Sequence, residues 1–255
     1  MRPESPVIDF HAHTGRFDRF GWIDDPLRMV DAMDDVGIQI TCVFNIFFSD
    51  CVTGNEATAR FVAARPERFR GFAFASPLAG EAITPELERA VDSLGFVGIK
   101  VYPPSTPWPL DDRRWDRIYG FAHERRLPIL FHTGVERNSH PYRLASVAQR
   151  FPAAILVAGH SGNVAPMRRQ ALQVAADYSN VYLETCSTYR TPGVIEQLVA
   201  DAGADRVLFG SDSPLMDPRV QIGKIVTADI SAEQKQLVLG QNAARLLGMS
   251  ADGTR

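Results

Sequence analysis

Apolar residues along the chain come in short, nearly unbroken runs, and the stretches between them place apolar residues three and four positions apart. The runs cover 7–13, 39–45, 69–76, 96–102, 128–133, 154–160, 181–186 and 206–212. A run that is apolar on both alternating faces predicts a parallel strand covered by helices on both sides of its sheet. The intervening stretches predict amphipathic helices. Leu87, Ala90, Val91 and Leu94 keep helical spacing up to Gly95, a residue suited to ending a helix. Trp115, Ile118, Tyr119 and Ala122 form a second such stripe. Asp25-Pro26, Thr84-Pro85 and Thr191-Pro192 each read as an N-cap with proline at the first helical position. Ser231-Ala232-Glu233-Gln234 reads as a capping box opening a last helix that runs through Leu247.

Eight strands alternating with helices over 255 residues predict an α/β fold, a single-domain (β/α)8 TIM-like barrel spanning 1–255. An open doubly wound sheet is the runner-up. It calls for a glycine-rich phosphate loop after the first strand, where this chain has His13-Thr14-Gly15-Arg16. The composition adds limits. Lys and Arg number 27 against 30 Asp and Glu, a net charge of −3 without a basic stripe, so nucleic acid and anionic membranes are not expected partners. The amino terminus lacks the apolar core of a signal peptide, and no apolar run is long enough to span a bilayer. Three widely spaced cysteines, Cys42, Cys51 and Cys186, do not make a disulfide framework. A cytoplasmic protein acting on a small molecule is expected, with room for a homo-oligomer.

The strand ends carry the chemistry. In a (β/α)8 barrel the site sits at the carboxyl ends of the strands. Those ends supply His11 and His13, Lys100, His132, His160 and Asp212, which accounts for four of the six histidines in the chain. His11 and His13 share one face of their strand because Ala12 takes the other. Imidazoles grouped with a carboxylate suit a divalent metal, most readily zinc, with manganese as the alternative. Taken singly, each histidine is more often a hydrogen-bonded structural residue, and the grouping is what favours a metal. His160 is a candidate ligand, acid/base or substrate-polarising group. Lys100 needs a partner or a modification, the plain reading being a salt bridge to Asp212 or Asp9.

These motifs resemble the amidohydrolase superfamily, in particular the branch that includes aminocarboxymuconate-semialdehyde decarboxylase. The residues that carry the resemblance are Asp9-Phe10-His11-Ala12-His13, Gly98-Ile99-Lys100, Phe131-His132-Thr133-Gly134, Gly159-His160, Gly210-Ser211-Asp212 and 242–248. The resemblance implies a metal held by His11, His13, His132 and Asp212, with His160 beside it as acid/base or, in two-metal members, as a ligand. Where two metals bind, a carboxylated lysine at the position of Lys100 bridges them. One ion and a free Lys100 are favoured here.

The main functional expectation is a metal-dependent hydrolase of an amide, ester or lactone, in which Asp212 takes the proton of a metal-activated water and His160 assists. The alternative is non-oxidative decarboxylation of a small unsaturated or aromatic acid, and a second alternative is a metal-binding barrel without catalysis. Tyr102, Arg137, His140 and Arg190 are the expected substrate-binding residues. Phe47, Phe48, Pro103, Pro104, Trp108, Tyr142, Cys186 and Tyr189 are further candidates for the pocket wall.

Overall fold

A computed structural model describes residues 6–15, 24–48, 50–161, 163–187 and 192–249. Eight parallel strands lie in the order β1 to β8: Ile8–His13, Ile40–Phe44, Phe69–Ala75, Gly98–Val101, Pro128–His132, Ile155–Gly159, Val181–Glu184 and Val207–Leu208. Each of the eight predicted runs contains one of them. The last strand is the shortest, although its chain stays extended along β1. Phe10 donates its backbone N–H to the Phe209 carbonyl at 2.9 Å, Asp212 donates to His11 at 2.7 Å, and Ala12 bridges Ser213. Those bonds close the sheet into a (β/α)8 barrel.

Helices α1 to α10 cover Pro26–Val36, Cys51–Ala64, Ile83–Glu88, Asp116–Arg125, Leu144–Arg150, Ala165–Asp177, Val194–Ala202, Pro218–Val226, Ala232–Gln236 and Asn242–Leu247. Asp25 caps α1 by accepting from the Leu27 and Arg28 amides. The Ser231 capping box forms, and α9 passes through a π-helical turn into α10, so the last helix does run through Leu247. Thr84-Pro85 is not a helix start. The chain turns in earlier, with Ser76 capping a 3-10 segment at Pro77–Ala82 that leads directly into α3. Thr191 lies outside the described residues, and α7 opens after Gly193.

The core has two parts. One lies between barrel and helices, where Trp115, Ile118, Tyr119 and Ala122 pack against Phe131 and Ile129. The other contains Ile8, Phe10, Ile40, Cys42, Phe44, Phe72, Leu130, Val157 and Leu208 and fills the barrel. Each such large apolar side chain contributes roughly 1.5–3 kcal/mol on burial.

Strict alternation in β1 would put Phe10 on the face opposite His11. Instead the β1–β2 register slips between Asp9 and Ala12, a β-bulge. Asp9 Oδ1 accepts the His11 amide at 3.1 Å. The bulge lets Phe10 belong to the barrel interior while the next side chain, His11, packs against the interior Phe44 at a 5.2 Å ring separation. Ala12 faces the helices. A filled barrel and a polar mouth thus meet within one strand.

Candidate active site

His11 and His13 project from the end of β1 with ring centroids 5.4 Å apart, both buried. Asp212 reaches them from the last strand. Its Oδ1 lies 2.9 Å from His13 Nε2 and 3.5 Å from His11 Nε2, and its Oδ2 accepts the Ser187 hydroxyl at 3.0 Å. His160, just past β6, stacks obliquely near His11 and against His132, each at 4.8 Å between centroids. His11, His160, Cys186 and Asp212 each offer one metal-binding atom, all within 4.8 Å of one another. His13 joins them through Asp212. His132 is more open, with Nε2 3.3 Å from Glu136 Oε2 and its ring edge-on to Tyr102 at 4.8 Å.

The backbone is bent to build this cluster. His160, Ser187 and Asp212 hold positive φ of 60°, 61° and 61°, a region that side-chain-bearing residues adopt at a cost. Two glycines make room. A Cβ at Gly159 would fall 2.5 Å from the Phe131 carbonyl oxygen, and one at Gly210 would come within 2.7 Å of Glu184 Cδ and 2.8 Å of His11 Cβ.

The electrostatics favour neutral imidazoles around one carboxylate. Burial pushes His11 and His160 well below the usual histidine range. Burial works against the Asp212 charge, yet the His13 hydrogen bond and the neighbouring histidines outweigh it and hold the carboxyl well below the usual range. Metal ligands have to be deprotonated, and neutral imidazoles beside an ionised carboxylate meet that demand. The donor set therefore fits a divalent ion.

Lys100 does not form the salt bridge to Asp212 or Asp9 that is the plain alternative to a free lysine. Among the described residues its Nζ lies 3.4 Å from His11 Nε2 and 4.6 Å from the centre of the Phe44 ring. Burial lowers it to about 8, against the opposing pull of the nearby Asp212 and Glu184 carboxylates. The ammonium thus sits at the floor of the cluster with a weakened hold on its proton.

The outer residues divide. Tyr102 is half-buried beside His132, and Phe47 lies 6.0 Å from the His13 ring. Arg137 is exposed on a short turn after β5, and its carbonyl accepts from Arg143. His140 turns Nε2 onto the Val135 carbonyl at 3.1 Å. No contact among the described residues draws either into the cluster. Tyr189 and Arg190 lie outside the described residues.

One functional group escaped sequence reasoning. Glu184, fully buried at the end of β7, lies 3.0 Å from His11 Nδ1 and accepts the His160 amide at 3.2 Å. A signal existed: Glu184 shares a strand face with Cys186, two residues on, which the sequence already places among the pocket-wall candidates.

The amidohydrolase family model matches residues 8–249. The chain belongs to the amidohydrolase family. Within it, the gamma-resorcylate decarboxylase of Polaromonas sp. (strain JS666 / ATCC BAA-500) is 28% identical over 73% of this chain and 76% of that protein. Among solved structures, this amidohydrolase barrel superposes on 2,6-dihydroxybenzoate decarboxylase complexed with 2,6-dihydroxybenzoate. The TM-score is 0.78 at 20% identity, covering 96% of this chain and all of the other. Dihydroxybenzoic acid decarboxylase from Polaromonas sp. JS666, with bound manganese and the inhibitor 2-nitroresorcinol, gives 0.77 at 21% identity over 96% and 97% of the two chains. These relatives overturn the hydrolase expectation. The histidine and aspartate types that serve a water-activating site serve decarboxylation equally, so the strand-end residues alone did not separate the two reactions. No helix among the described residues is long and apolar enough to cross a membrane.

Proposed function

We propose that this amidohydrolase-family enzyme catalyses the non-oxidative decarboxylation of a small hydroxylated aromatic acid. The observation that carries the reading is the 28% identity with a decarboxylase over about three-quarters of both chains. The buried histidine–aspartate cluster is the chemistry that such a reaction needs.

In this reading His11, His13, His132 and Asp212 hold one divalent ion, zinc or manganese, since a mixed nitrogen and oxygen set accepts both. Held there, the ion would supply Lewis-acid chemistry toward an anionic substrate. Tyr102 and Phe47 flank an aromatic ring. Lys100, unmodified, offers the acid a counter-charge from the floor. His160, neutral at rest, would take a proton from solvent water at Nε2 and pass it to the ring carbon that loses the carboxylate, so that carbon dioxide leaves, a hydrogen takes its place and hydroxide stays with the solvent. His160 has neighbours on both sides, His11 and His132, that keep its ring at the site.

The test is to incubate protein loaded with zinc, and separately with manganese, with hydroxybenzoates and with a set of esters and lactones. Carbon dioxide and the matching phenol are expected from at least one hydroxybenzoate. Acid release from an ester or lactone, with no carbon dioxide from any benzoate, would overturn the proposal.

A further inference from the structure

We infer that Glu184 and Cys186 form one device that sets the tautomer of both His11 and His160, turning the Nε2 lone pair of each into the pocket. The inference rests on His11 and His160 being the working imidazoles of the proposed reaction, but its test reads nitrogen protonation rather than turnover.

Glu184 Oε2 is the hub. It lies 3.0 Å from His11 Nδ1, 3.2 Å from the His160 backbone nitrogen and 3.0 Å from Cys186 Sγ. A carboxylate only accepts hydrogen bonds, so all three neighbours must donate to it. His11 is thereby fixed with its proton on Nδ1. Its Nε2 is left as a lone pair on the side of Asp212 and Lys100.

The thiol carries the same instruction to His160. Cys186 Sγ lies 2.8 Å from His160 Nδ1 and 3.0 Å from Glu184 Oε2. Its single proton can go to only one of them. Both Glu184 oxygens already accept backbone amides, those of Cys186 and His160, so the thiol donates to Oε2 and its sulfur accepts from His160 Nδ1–H. The chain then reads His160 Nδ1–H to Sγ–H to the Glu184 carboxylate, and His160 Nε2 is free to hold or pass a proton at the substrate.

The surroundings pin this arrangement. Glu184 Oε1 accepts the Cys186 amide, which folds the strand end over the carboxylate. Ser161 Oγ donates to the Glu184 carbonyl at 2.9 Å while the Glu184 amide donates back to Ser161 Oγ at 3.2 Å, clasping the ends of β6 and β7. Through its bond to the His160 amide, the same carboxylate supports the positive φ at that residue. Glu184 and Cys186 are therefore positioning residues, each acting through an imidazole.

The two arms are separable. Cys186→Ala cuts the link to His160, together with the sulfur's longer 3.4 Å contact to His11 Nδ1, and leaves the 3.0 Å Glu184–His11 contact in place. Cys186→Ser keeps a group that can accept from Nδ1 and donate to Glu184. Glu184→Gln weakens both arms, and loss of such a supporting partner behind a ligand typically lowers metal affinity 10- to 100-fold. The experiment is two-bond 1H–15N correlation spectroscopy on zinc-loaded protein labelled with 15N-histidine, for wild type, Cys186→Ala and Cys186→Ser. His160 is expected with its proton on Nδ1 in wild type, shifted towards the Nε2–H form in Cys186→Ala, and restored in Cys186→Ser. Zinc affinity is expected to fall at least 10-fold in Glu184→Gln. A wild-type His160 protonated on Nε2, or a Cys186→Ala spectrum identical to wild type, would overturn the inference whether or not the enzyme decarboxylates anything.

Discussion

Asp212 donates its backbone N–H to the His11 carbonyl at 2.7 Å, and its side-chain Oδ1 lies 3.5 Å from His11 Nε2. The seam that closes the barrel and the cluster suited to a metal are therefore the same place. Metal binding should tighten the seam. Protein stripped with a chelator is expected to exchange amide hydrogens faster in peptides covering 8–14 and 207–214 than protein reloaded with zinc, with little change in α4. Loading at 100 times the dissociation constant should add about 2.7 kcal/mol of stability by mass action. Equal exchange in the two forms would separate the metal from the seam.

Lys100 should reduce stability at neutral pH. Its pKa is lowered to about 8 from an ordinary value of 10.5, so below pH 8 the folded protein must bury a charge that the unfolded chain keeps in water. Between pH 8 and 10.5 the unfolded chain binds more protons, and stability rises with pH across that window. Lys100→Met is accordingly expected to stabilise the metal-free protein at pH 7 by roughly 3 kcal/mol, taking 1.36 kcal/mol per pKa unit. The gain should fade by about pH 10.5, and decarboxylation should be lost. Denaturant titrations at pH 7 and at pH 10.5 measure it. A destabilised variant at pH 7 would show that Lys100 is well paired.

Two glycines give a paired stability test. Gly210→Ala places a Cβ against Glu184 and within 2.8 Å of His11 Cβ, and such overpacking typically costs about 1–3 kcal/mol. Gly223→Ala in α8 meets nothing within 4 Å and should stabilise by roughly 0.5–1 kcal/mol through helix propensity. Thermal unfolding of both variants, with zinc content as a second readout, distinguishes the two. Zinc binding should weaken in Gly210→Ala only.

His160→Asn is expected to lower kcat for the benzoate substrate by about 10²–10⁴, the range of a lost acid/base group. Metal content by elemental analysis should stay at the wild-type level, because His11, His13, His132 and Asp212 remain. Loss of the metal along with activity would make His160 a ligand instead.

Much of this architecture was legible before any coordinates. Runs apolar on both faces gave the eight strands, because a parallel strand covered on both sides has no polar face to hide. The strand-end position of His11, His13, His160 and Asp212 followed from the barrel alone. What escaped was set by tertiary geometry. Thr84-Pro85 has the chemistry of an N-cap, but Ser76 starts the turn first. The bulge at Asp9–Ala12, which turns Phe10 and His11 to the same side of the strand, leaves no mark in a hydrophobic pattern. Glu184 reads as an ordinary polar strand end until β1 and β6 bring His11 and His160 to it. The reaction was not legible either, because residue types that serve hydrolysis also serve decarboxylation.

The central claim is that a carbon–carbon bond to a carboxylate breaks at this site. It is tested most directly with carboxyl-13C hydroxybenzoates, 2,6-dihydroxybenzoate among them, and metal-loaded protein in deuterated water. The expected result is 13CO2 and the corresponding phenol in equal amounts, with one deuterium on the ring carbon that carried the carboxylate. Wild-type protein with a full metal complement that releases no 13CO2 from any of these acids would contradict the account.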